Sequence, residues 1–198
     1  MISRRAFAAL AFALSLPLSF SGANAAEPLP DMVMGSEDAP VTVVEYASMT
    51  CPHCANFHST TFKELKTEYI DTGKVKFVLR EFPFDPLAAA VFMLARCSDD
   101  KYYDVVDLYF EHQREWAVQE DALPKIRGLA RQAGFSDDDF QACLTDQKLL
   151  DGINAVKDKG YEEMGVRATP TIFVDGEKLE GSRDMRALRD AIDPKLDS

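Results

Sequence analysis

The chain is short of positive charge: 22 lysines and arginines stand against 33 aspartates and glutamates, a formal net charge of −11 over 198 residues. It also lacks internal repeats, low-complexity tracts and long linkers, so solenoid arrays and disordered tethers are excluded. Only one apolar run has any length, Ala6 to Phe20, and it is interrupted by Pro17. A stretch so short and broken is too little to span a bilayer, which takes about 20 apolar residues. With Arg4 and Arg5 before it and Ala23-Asn24-Ala25 after it, the run reads as an export signal over residues 1–25. Ser3-Arg4-Arg5-Ala6-Phe7 suits a twin-arginine signal as well as a general-secretion one, and either route ends outside the cytoplasm.

Beyond residue 25 remain 173 residues, with 20 basic against 33 acidic side chains, net −13. An exterior this acidic repels nucleic acid and anionic lipid, and argues against both as partners. The length suits one domain, residues 26–198, large enough to bury roughly two thirds of its unfolded surface.

Cysteine is scarce too, four in all, and four permit three pairings. Spacing favours one of them. Cys51 and Cys54 close a very small ring, the geometry of a redox-active pair, whereas Cys97 and Cys143 lie far apart in helix-like segments and suit a structural bridge. Cys51-Pro52-His53-Cys54 follows the apolar run Val41 to Tyr46 and precedes a helix-forming segment. Proline suits the first helical position, where its missing N–H is not needed, so Cys51 is expected as the N-cap. There the unpaired N–H groups and the positive end of the helix dipole favour thiolate over thiol. His53, between the two cysteines, adds to that bias as a cation or as an N–H donor. Cys54, one turn further in, is expected to be the shielded, resolving thiol.

Val41–Tyr46 and Val75–Leu79 read as parallel strands joined by a helix that carries Phe57, Phe62, Leu65 and Tyr69 and stops at Gly73. From Asp85-Pro86 the pattern is helical to about residue 164, in five pieces: Leu87–Arg96, Tyr102–His112, Leu123–Ala133, Asp137–Leu144 and Leu149–Met164. Strand character returns at Thr171–Val174, followed by the hairpin turn Asp175-Gly176, a short strand Glu177–Glu180 and a final helix Met185–Ile192. The order β-α-β, helices, β-β-α describes an α/β, thioredoxin-like fold with a helical insertion at about 85–164 after its second strand. Phe92, Met93, Phe110 and Trp116 are assigned to helix core.

The dithiol Cys51-Pro52-His53-Cys54, the loop Arg167-Ala168-Thr169-Pro170-Thr171 and the place of the insertion together resemble the DsbA-like family of exported thiol-disulfide oxidoreductases, over essentially the whole chain beyond the signal. The resemblance implies a redox-active Cys51–Cys54 disulfide with no other cofactor. It implies that Pro170 is cis and lies beside the dithiol, leaving the backbone of Thr169 free to pair with an incoming peptide. A threonine before the proline is also common in isomerases.

Glu45 stands six residues before Cys51 on a valine-rich strand. The resemblance suggests a buried carboxylate that exchanges the proton of Cys54; the residue reading alone leaves open a solvent-facing strand end or a pair with Arg80. His58 and His112 carry no assigned role. Cys51, Cys54 and His58 have the ligand types for a metal but lack an evident fourth ligand and sit at a helix start that favours anions, so no metal site is expected.

Three activities follow, in order of preference. The first is a periplasmic dithiol oxidase, monomeric, that donates disulfides to reduced exported proteins and is reoxidised by a quinone-linked membrane partner. The second is an isomerase or reductase kept reduced by a membrane donor; such proteins generally carry a dimerising extension, and only Ala26–Asp38 precedes the core. The third is a metal-binding or chaperone-like module.

Overall fold

The computed structural model describes residues 26–117 and 120–196. The export signal expected over residues 1–25 lies outside them. Five strands form one sheet: β1 (Met32–Met34), β2 (Val41–Ala47), β3 (Val75–Glu81), β4 (Thr171–Val174) and β5 (Glu177–Lys178), in the spatial order β1-β3-β2-β4-β5. β2 and β3 run parallel, with Glu45 opposite Leu79, and β4 lies antiparallel on the other side of β2, with Ile172 opposite Glu45. β2 is therefore the central strand and is buried on both faces. Val41, Val43 and Ala47 point into the larger core beneath the helices, while Val44 and Tyr46 pack with Val78, Phe82, Val166 and Phe173 on the opposite face. Alternation along the strand puts Glu45 on the first of these faces, inside apolar surroundings.

The helices are α1 (Pro52–Ser59), α2 (Thr61–Leu65), α3 (Pro86–Arg96), α4 (Tyr102–Glu111), α5 (Gln113–Trp116), α6 (Ala122–Gln132), α7 (Asp137–Leu144), α8 (Gln147–Glu162) and α9 (Met185–Leu196). Their starts follow local capping chemistry. Asp85 accepts from the Ala88 N–H at 3.0 Å ahead of Pro86, Ser136 and Asp139 form a reciprocal capping box, and Asp146 accepts from the Leu149 N–H at 3.0 Å. α3 to α8 make up the helical insertion, and Phe92, Met93, Phe110 and Trp116 are all buried in its core. α8 comes close to the sheet because Gly160 faces the Tyr46 ring; a Cβ there would fall 2.5 Å from the ring. The Asp175-Gly176 hairpin turns through two positive φ values, +48° and +80°.

Several elements differ from the sequence reading: the insertion read as five helical pieces holds a sixth, the short α5, and α9 runs on to Leu196 instead of ending at Ile192. The single helix expected after the dithiol is interrupted at Thr60 and finishes in a π-turn, Lys66–Ile70, before Gly73 at φ +74°. In the run Ser59-Thr60-Thr61, the hydroxyls of Ser59 and Thr60 both donate to the Asn56 carbonyl, competing with the helical ladder. β1, missing from the sequence reading, is three residues long and too short to show alternation; its pairing with β3 defines it. The strand expected over Glu177–Glu180 is only Glu177–Lys178, both exposed, held by its hairpin pairing with β4 and by an ion pair between Glu177 and Lys195 at 3.2 Å.

Candidate active site

β2 ends at Ala47, and the chain turns through Ser48–Thr50 to deliver Cys51 to the start of α1. Cys51 is the N-cap, with extended φ and ψ of −77° and 117°, and Pro52 opens the helix. The structure is that of the dithiol form: Cys51 is a half-buried free thiol and Cys54 a fully buried one. The Cys51 Sγ–H donates to the Thr169 carbonyl oxygen at 3.3 Å. Gln113, reaching across from α5, donates through Nε2 to the Met49 and Cys51 carbonyls.

The two sulfurs are driven apart in acidity. The Cys54 thiol, hydrogen-bonded to Cys51, is the largest influence on Cys51; burial opposes it, and the Thr169 side chain and the N–H groups of Cys54 and His53 add to it, bringing Cys51 down to about 5. Cys54 moves well above the usual thiol range, first because it is buried, then through its bond to Cys51 and the charge of Glu45. The backbone N–H of His53 is among the groups that act on Cys51, and its exposed side chain lines the neighbouring groove.

The Thr169–Pro170 peptide bond is cis. It is set beside the dithiol by Arg183, whose Nε donates to the Pro170 carbonyl at 2.7 Å, and by Thr171, whose hydroxyl donates to the Ala168 carbonyl. The Thr169 Oγ1 is buried and has no hydrogen-bond partner among the described residues beyond its influence on the Cys51 sulfur. A groove of about 520 Å³ runs from His53 past Thr169 and Pro170 to Arg183.

Behind the dithiol, Glu45 is wholly buried. Arg80, one candidate partner, is engaged elsewhere, with Asp31 at 2.8 Å and the Tyr46 hydroxyl at 3.0 Å. The partner of Glu45 is His58, whose Nε2 lies 2.9 Å from Oε2, while Oε1 has no hydrogen-bond partner among the described residues. Burial alone would push His58 down; Glu45 and Asp107 reverse that and carry it up to about 9. Sequence reasoning gave His58 no role. The available signal was its spacing, four residues after Cys54, which places both on one face of α1. His112 pairs with exposed Glu115 at 2.8 Å. A second buried acid, Glu81, is bound by Arg96 and the Tyr102 hydroxyl and belongs to the framework.

Cys97, at the end of α3, is disulfide-bonded to Cys143 of α7, with Cα atoms 6.2 Å apart. Among the described residues no group of three or more His, Cys, Asp and Glu side chains is arranged to hold a metal, and no helix is long and apolar enough to cross a membrane.

The thioredoxin family model matches residues 28–194. The chain is 33% identical over 169 residues to a putative protein-disulfide oxidoreductase of Rickettsia bellii, an alignment that covers 84% of this chain and 65% of that one. It therefore spans just under two thirds of that relative's length. It is 28% identical over 171 residues to disulfide bond formation protein D of Bacillus subtilis, covering 83% of this chain and 76% of the other. The crystal structure of alpha-DsbA1 from Wolbachia pipientis superposes with a TM-score of 0.79 at 30% identity, over 86% of this chain and 94% of that one. Oxidised BdbD from Bacillus subtilis gives a TM-score of 0.74 at 27% identity, over 88% and 100%.

Proposed function

Because the chain belongs to the DsbA-like branch of the thioredoxin family, we propose that it is a periplasmic thiol-disulfide oxidoreductase, a dithiol oxidase that passes its Cys51–Cys54 disulfide to reduced exported proteins. The names of its relatives support the disulfide chemistry, and the separated acidities of the two thiols support the direction of transfer.

A substrate thiolate attacks Cys51 Sγ, and the Cys51–Cys54 bond breaks with its electron pair going to Cys54, which takes up a proton. A second substrate thiolate then attacks the substrate's own sulfur in the mixed disulfide and expels Cys51 as thiolate. The substrate leaves oxidised by two electrons and the protein is left as the dithiol. A thiolate stable near pH 5 is a good leaving group, and its stability favours the reduced protein, which makes the disulfide oxidising. The backbone beside Pro170 provides the pairing edge for the extended substrate, and Glu45 takes and returns the Cys54 proton. The protein acts as a monomer, needs no cofactor beyond its own disulfide, and is reoxidised by a quinone-linked membrane partner.

The observation that carries this reading is the placement of the two sulfurs, Cys51 half-buried at the N-cap of α1 against the Thr169 carbonyl and Cys54 fully buried behind it. The test is the equilibrium potential of the pair against glutathione, with insulin-reduction and scrambled-ribonuclease assays. An oxidising potential with weak isomerase activity is expected; a potential as reducing as thioredoxin's, about −270 mV, overturns it.

A further inference from the structure

His58 does more than balance Glu45. It stands one turn along α1 from Cys54, its ring held between Phe62 and Phe110 with centroids 4.5 and 4.4 Å away. Its two nitrogens face opposite ways. Nε2 meets the buried carboxylate of Glu45 at 2.9 Å, and Nδ1, which makes no hydrogen bond among the described residues, lies at ion-pair distance, 3.5 Å, from Oδ1 of Asp107 on α4. Asp107 is 49% exposed, and it lines with His58 a groove of about 760 Å³ that opens between α1 and the insertion. The other charged groups lining that groove are Lys63, Lys66, Glu111 and Arg114. Glu45 meanwhile keeps one oxygen, Oε1, without a hydrogen bond among the described residues. From Glu45, whose charge acts on the buried sulfur, a line of ionisable groups thus runs through His58 to a half-exposed carboxylate on the side of α1 away from the groove that contains Thr169 and Pro170.

We propose that His58 and Asp107 form a rear exit for the Cys54 proton, serving the dithiol while its front is covered by a bound protein. The need arises from the geometry of exchange. In a mixed disulfide at Cys51 the partner chain lies along Thr169 and Pro170, closing the direct approach of water to Cys54. Cys54 must nevertheless lose its proton to attack Cys51 Sγ. In that step Glu45 accepts the proton, the His58 imidazolium releases its Nδ1 proton to Asp107 and solvent, and the Cys54 thiolate bonds to Cys51 as the partner departs with the electron pair of the broken bond. The Glu45–His58 pair begins as carboxylate and imidazolium and ends as carboxylic acid and imidazole, and one proton leaves. When a substrate reduces the disulfide, the same steps run in reverse.

This inference rests on the proposed function only in requiring Cys54 to change protonation during turnover, and its test is separable from that reading. A short cysteine peptide is joined to Cys51 as a mixed disulfide, and its release by Cys54 is followed across pH in the full chain and in Asp107→Asn, Asp107→Glu and His58→Gln. Asp107→Asn and His58→Gln should slow release by about tenfold, a modest share of what a general base contributes. The deficit should be greatest in acid and close as pH rises, and Asp107→Glu should restore the rate. The same variants carrying a mixed disulfide with mercaptoethanol, which leaves the front open, should lose little. Wild-type release of the peptide by Asp107→Asn at every pH overturns the exit, as does an equal deficit with peptide and mercaptoethanol. Should His58→Gln fail to fold, the two half-exposed Asp107 variants decide the matter alone. If Cys51 instead titrates like a free thiol in the unaltered chain, the oxidase reading falls, whatever the Asp107 variants do.

Discussion

Gln113 donates from Nε2 to the carbonyl oxygens of Met49 and Cys51, at 2.7 and 3.0 Å, so one insertion side chain fastens the turn that carries the reactive sulfur. Gln113→Leu removes both bonds at a buried site and leaves the Met49 carbonyl unpaired. A loss of about 1–3 kcal/mol in denaturant unfolding is expected, together with slower reaction of Cys51 as the turn loosens. Unchanged stability and thiol reactivity would mean that the clamp is incidental.

Alkylation of the reduced protein should report the thiolate directly. Its rate should be half-maximal near pH 5, where Cys51 ionises, far below an ordinary thiol at 9.0. Because the folded value is depressed, the thiolate's support for the reduced form is complete above 9.0 and vanishes as pH falls through about 5. Thr169→Val removes a hydroxyl that favours the anion and should move the half-point upward part of the way. A half-point that stays in place removes Thr169 from the account.

The Cys97–Cys143 bridge closes a sequence separation of 46 residues within the insertion. In the chain-entropy description, a loop of that size corresponds to about 4 kcal/mol. Cys97→Ser with Cys143→Ser should lower the melting temperature by roughly 10 °C while leaving exchange at Cys51 largely intact. Comparable loss of turnover in this double variant and in Cys51→Ser would show instead that the second pair takes part in the chemistry.

His58 is raised from its ordinary 6.5 to about 9 by its carboxylate neighbours. A raised folded value stabilises fully below 6.5 and fades as pH climbs through about 9. The stability difference between the unaltered chain and His58→Gln should therefore shrink across that window in urea titrations. A difference that is flat with pH contradicts the buried ion pair.

Gly160→Ala places a methyl group 2.5 Å from the Tyr46 ring. Overpacking of this kind costs about 1–3 kcal/mol, and because α8 precedes the Thr169 loop, substrate exchange should weaken with stability. A fully stable variant would mean that the ring moves aside freely.

Much of this architecture was legible because it rests on local chemistry. Asp85-Pro86 and Ser136 mark helix starts through their own caps, Asp175-Gly176 writes its turn, and the valine-rich β2 announces a buried strand. The dithiol could be read with its surroundings because the proline and the strand-to-helix junction are contiguous with it. What escaped depends on contacts between distant segments. β1 exists by pairing with β3, the interruption at Thr60 reflects a contest among neighbouring hydroxyls, and the role of Gln113 requires α5 to lie against residue 51. His58 was overlooked for the same reason: its meaning lies in Glu45, thirteen residues earlier, and in Asp107 on the insertion.

Both borders of the sheet are very short, three residues in β1 and two in β5. A protein that must repeatedly meet unfolded chains is exposed to being glued to them, since any long unpaired border offers a template for indiscriminate strand addition. Here such borders are scarcely available, and in the function proposed above the place where a visitor aligns its main chain is the bend at Thr169, beside the sulfur that will let it go.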